Sequence, residues 1–153
     1  MDLVINTDLF IVGSSITGVA ILGFLIFFND KKSTTSRAFL YLSIFTILYN
    51  GFNFLSYKFL NPNVVIWLLR VTIFFAVWHS FYTFNLLYVF PEKEKKMPAF
   101  YKFGLLPFVA FTALLTLTPL VFKEIVEFSD GRVSSVSNGP GIILFALVAV
   151  GLN

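Results

Sequence analysis

Hydrophobic positions along this chain fall in long, nearly unbroken blocks separated by short polar stretches. Four blocks, Leu9–Phe28, Ala38–Tyr57, Val64–Phe90 and Phe103–Phe122, could each cross a bilayer as a helix, since spanning takes about 20 predominantly apolar residues. A fifth block runs from Gly141 to Leu152. At ~1.5 Å per residue it reaches about 18 Å, short of a ~30 Å hydrocarbon core. The pattern predicts an all-α membrane protein: a polytopic bundle of four complete transmembrane helices, about 9–28, 38–57, 64–90 and 103–122, plus the start of a fifth, 141–153. The sequence is expected to be cut within that fifth helix. The first block lacks a basic n-region and a small-residue cleavage site, so it is expected to stay in the membrane rather than act as a signal peptide.

Between the fourth and fifth blocks the pattern changes. "VEFSDGRVSSV" places Asp130-Gly131 between two runs containing β-branched and aromatic residues, the cue for a two-residue hairpin. A small β-hairpin is expected in this fourth, extracellular loop, stopped by Asn138-Gly139-Pro140-Gly141.

Composition strengthens the membrane reading. Of 153 residues, 58% are hydrophobic and only 12% charged, too little polar surface for a soluble domain of this size. Charge placement adds an orientation. Seven of the eleven basic residues fall in two loops on one side: Lys31, Lys32, Arg37 and Lys93, Lys95, Lys96, Lys102. Lys58, Lys123 and Arg132 lie on the other, and Arg70 lies within the third block. Positive loops stay in the cytoplasm, so a multi-pass cell-membrane protein with an extracellular N-terminus is expected. The basic residues track the membrane, and no nucleic-acid partner follows from the net charge of +3. Arg70 is near enough to the outer interface to snorkel.

The chemistry available is sparse. There is no cysteine, no phosphate-binding glycine loop and no paired histidine, so neither a cofactor nor a catalytic residue is expected. All eight carboxylates lie in loops or the N-terminal tail, whereas proton-coupled carriers place them at membrane depth. The polar residues within the blocks do form a pattern. Ser43, Thr46, Asn50, Asn53 and Tyr57 share one face of the second helix. Two readings are open: helix–helix packing through polar side chains, or the lining of a ligand pocket or intramembrane switch. In the first helix Gly13, Ser14, Thr17, Gly18 and Ala20 are small enough for close helix packing. In the fourth, Pro107 and Pro119 should bend the helix or mark its ends, with Thr112 and Thr116 bonding freed carbonyls.

The sole histidine, His79, lies about 22 Å from the outer end of the third helix, near the bilayer midplane. A neutral ring is expected there, hydrogen-bonded to a hydroxyl or amide, with Tyr82 on its side of the helix and the Asn50/Asn53 stripe as partner. It is either a packing residue that fixes helix register or a ligand contact and switch.

The basic loop and second helix, "NDKKSTTSRAFLYLSIFTILYNGFNFL", lead to an aromatic third helix, "RVTIFFAVWHSFYTFNLLYVFPEKEKK", closed by Phe-Pro and a charged run. A Pro-containing helix and a polar outer loop follow. Over residues 10–152 this arrangement resembles the N-terminal seven-transmembrane-helix sensor region of bacterial histidine kinases. The resemblance implies two or three further helices, a cytoplasmic dimerisation helix and an ATP-binding kinase domain. It implies a homodimer and a single transmembrane sensor-type domain, 1–153, that perceives a small or lipophilic ligand, or the state of the lipid bilayer itself. The chain carries no phosphoacceptor histidine box and no ATP-binding glycines, so histidine kinase activity would reside in other residues. The alternatives are a fragment of a small-solute transporter or channel, which membrane carboxylates or an internal repeat would favour, and a bare membrane anchor.

Overall fold

The computed structural model describes residues 7–59, 61–90, 97–129 and 132–152. Three helices are long and apolar enough to cross a membrane: α1 (Thr7–Asn29), α2 (Thr34–Ser56) and α3 (Pro62–Val89). At 23, 23 and 28 residues they measure roughly 35, 35 and 42 Å. Their starts are set locally. Ser33 caps α2 by accepting the Ser36 N–H, and Asn61 caps α3 by accepting the Asn63 N–H ahead of Pro62, whose fixed φ suits a first helical turn.

The fourth helix is shorter than the hydrophobic block that announced it, so the bundle has three long helices and not four complete ones. A π-helical turn, Tyr101–Leu105, runs into α4, Leu106–Thr116. Pro107 explains the wide turn: its ring crowds the carbonyl four residues back and it has no N–H to offer, which favours a bulge at Phe103. The end is explained by Pro119, which biases Thr118 away from helical backbone. The last turn tightens, with Leu117 N–H bonding Leu114 O and Thr118 N–H bonding Leu115 O. Thr112 and Thr116 bond Phe108 O and Ala113 O within the same helix. Apolar residues continue to Phe122, but there they begin a strand.

That strand, β1 (Phe122–Ser129), pairs antiparallel with β2 (Arg132–Asn138), from Phe122 opposite Asn138 to Ser129 opposite Arg132, with bulges along the way. The Asp130-Gly131 turn itself lies outside the described residues. Gly139 N–H to Val121 O (2.8 Å) and Gly141 N–H to Leu120 O (2.9 Å) close the base of the hairpin. A Cβ at Gly139 would overlap the Leu120 carbonyl, so this approach requires glycine. Helix α5, Ile142–Gly151, then packs on α3 and α4.

Connectivity gives the bundle two ends. One carries the start of α1, the α2–α3 connection and the hairpin. The other carries the basic loops. A cluster of fully buried apolar residues joins α3, α4 and α5 through Val77, Phe81, Val109, Ala113 and Val148. Many other buried positions are small or hydroxylic, among them Ser36, Ser43, Ser80, Thr112 and Thr116. The exterior is apolar instead: Phe10, Leu25, Phe103 and Val150 are 63–80% exposed. Small residues inside and large apolar ones outside suit helices surrounded by lipid.

Candidate functional site

Helix α2 has two unlike faces. Its aromatic face meets α3, where the Phe45 ring lies 5.1 Å from Tyr82 and 5.8 Å from Trp78, Tyr41 stacks on Tyr82 at 5.2 Å, and Phe52 lies 5.3 Å from Phe75. Its polar stripe meets α1. Contact is close at Gly23, where an added Cβ would sit 2.7 Å from both Cβ and Oγ of Ser43. The backbones therefore approach where neither residue has bulk.

From that contact toward the hairpin end the two helices leave a cleft of about 380 Å³. Asn50, Asn53 and Tyr57 line one wall, Ile11 and Val12 the other, with Asp8 and Lys58 also on its surface. The stripe makes no hydrogen bond across to α1 among the described residues. Ser43 bonds Phe39 O, Thr46 bonds Leu42 O, and Asn50 donates Nδ2–H to Thr46 O, all within α2. Such back-bonding satisfies donors in an apolar setting without needing a partner helix. Among the described residues it leaves the Asn50 carbonyl and the whole Asn53 amide without a partner, able to face a ligand. The cleft thus combines two amides and a phenol with one carboxylate and one ammonium beside apolar surface. It can hold a small molecule through hydrogen bonds and both signs of charge.

The expected site residues are divided among separate places. Asn50, Asn53 and Tyr57 share the cleft, Ser43 and Thr46 lie further along the α1–α2 seam, and Tyr82 stands on the other side of α2. His79 is the main correction. Its ring lies 6.2 Å from the Tyr49 ring and has no hydrogen bond among the described residues. The asparagine stripe is not its partner, because that face of α2 points at α1. The small residues of α1 are a second correction: a Cβ at Gly13 or Gly18 would meet nothing within 4 Å, and the close contact falls at Gly23.

Arg70 is the third. It is only 7% exposed, not extended to the interface. Its Nε and Nη2 donate to Phe122 O at 3.2 and 2.7 Å, and Nη2 also approaches Lys123 O at 3.3 Å. The guanidinium lies over the Trp67 ring at 5.3 Å. Arg70 therefore fastens the first strand of the hairpin to α3.

The sequence also left Asp8 and Lys58 unassigned. As charges at the ends of apolar blocks they look like ordinary interface residues. No protein-family model, curated protein or solved structure matches this chain.

Proposed function

We propose that the chain is the membrane-embedded input module of a signal-transduction protein, with the hairpin end outside and the basic loops in the cytoplasm. The observation that carries this reading is the α1–α2 cleft, where free amide groups, Asp8 and Lys58 face an apolar wall. A ligand bridging α1 and α2 there would change their spacing. The contact at Gly23 and Ser43 gives that motion a pivot, and the aromatic seam between α2 and α3 is the route by which it would reach the rest of the bundle. Resemblance to the transmembrane region of sensor histidine kinases supports a cytoplasmic output at the far end. A transporter reading lacks carboxylates within the three long helices, which hold Asp8 only at an end.

The chemistry of the cleft suits a small zwitterionic or polyhydroxylated solute. In lipid nanodiscs, a panel of amino acids and sugars should contain a compound that raises the thermal midpoint of the parent. Asn50→Leu/Asn53→Leu should abolish that rise, with affinity falling about tenfold for each hydrogen bond lost. A stabilising compound that acts equally on the double variant would place the site elsewhere. Uptake of such a solute into proteoliposomes would replace sensing with transport.

A further inference from the structure

At the basic-loop end a second cavity, about 300 Å³, opens between the start of α2, the second half of α3 and the start of the fourth helix. Two buried polar atoms at this end have no hydrogen-bond partner among the described residues: Asn85 Oδ1 and the Tyr101 hydroxyl. Both residues line the cavity. They stand out in this bundle, because the threonines of the same helices are satisfied internally, Thr83 by His79 O and Thr112 by Phe108 O. Buried polar groups are nearly always paired, so two orphans in residues that line one cavity call for a partner at that place.

The wall specifies its chemistry. Asn85 Oδ1 can only accept, so it needs an O–H or N–H donor. The Tyr101 hydroxyl can donate to an anionic oxygen. Arg37, exposed and held by its Nη2 bond to Lys32 O at 2.8 Å, also lines this cavity and brings a guanidinium to its exposed side. A planar guanidinium matches phosphate geometry. Phe81 and Leu106 supply apolar surface, and Lys102 follows Tyr101 directly in the chain. These features together describe a phosphodiester with a free hydroxyl and an attached apolar portion.

We infer that this cavity binds the headgroup of an anionic phospholipid such as phosphatidylglycerol, with Arg37 and Tyr101 on the phosphate and Asn85 accepting from a headgroup hydroxyl. The inference rests on the membrane reading but is independent of the sensor assignment and of the α1–α2 cleft.

The test uses the full chain in nanodiscs of phosphatidylcholine alone or mixed equally with phosphatidylglycerol. Recovery in the nanodisc fraction tests the membrane reading separately. Phosphatidylglycerol should raise the thermal midpoint of the parent, and native mass spectrometry should show it retained. Tyr101→Phe and Asn85→Leu should each weaken retention about tenfold. Arg37→Gln, on the exposed side of the cavity, should do the same without touching the packed interior. A parent indifferent to phosphatidylglycerol would overturn the inference. So would variants that keep the full lipid preference, or that are more stable than the parent in both lipids, since the orphans would then be buried with no occupant to bond. If soluble glycerol phosphate gives the same stabilisation in phosphatidylcholine discs, the occupant is a free phosphate ester and the lipid assignment fails.

Discussion

Gly23→Leu should drive α1 away from α2 and erase the α1–α2 cleft. The position tolerates no side chain: even a methyl carbon would lie 2.7 Å from Ser43 Cβ and Oγ, inside van der Waals contact. Overpacking of this kind costs about 1–3 kcal/mol, and here it acts on a helix whose described residues are buried at Gly23 alone. The expected result is a lower thermal midpoint and earlier proteolysis in the α1–α2 connection, with the α3–α5 core intact. Restoring space from the other side is the control. Gly23→Ala should be destabilising alone and largely rescued by Ser43→Gly, which removes both clashing atoms. If Gly23→Leu unfolds like the parent, α1 does not pack on α2 through this contact.

Arg70→Met should detach the hairpin from α3. The parent side chain makes three donor contacts to two strand carbonyls, and hydrogen bonds from charged groups contribute ~1.5–3 kcal/mol. Methionine keeps much of the apolar stem but offers no donor. Hydrogen exchange should accelerate in β1 and β2 by a factor matching about 2–3 kcal/mol, while α3 keeps its protection. Arg70→Lys should recover only part of this, because an ammonium lacks the planar fork that reaches both carbonyls. Unchanged exchange in the strands would mean that the base contacts at Gly139 and Gly141 hold the hairpin without Arg70.

The three long helices were legible in the sequence because each is an apolar run of spanning length, and the hairpin because Asp130-Gly131 interrupts a change of pattern. The end of the fourth helix was less visible. Hydropathy does not distinguish a helical Leu from the turn and strand residues of "LTPLVF", and only Pro119 marks the stop. The polar stripe of α2 could be read from its period, but a period shows which residues share a face, not which helix that face meets. Pairing the stripe with His79 failed for that reason. In the structure the aromatic residues at Tyr41, Phe45 and Phe52 face α3, and the stripe is left for α1. Gly23 could not be told from Gly13 or Gly18 without the helix crossing point. The orphaned atoms of Asn85 and Tyr101 are likewise a property of three-dimensional pairing, which the residue types along the chain do not show.

The proposed orientation, with the chain crossing the membrane and the cleft end outside, can be read directly by thiol labelling. The sequence contains no cysteine, so single introduced thiols can be read without background. Lys58 lies on the cleft and Lys32 at the basic-loop end, and both are exposed. With a membrane-impermeant thiol reagent on intact cells, Lys58→Cys should label directly and Lys32→Cys only after permeabilisation. The reverse pattern would contradict the orientation, and recovery of both labelled proteins in the soluble fraction would contradict the membrane account itself.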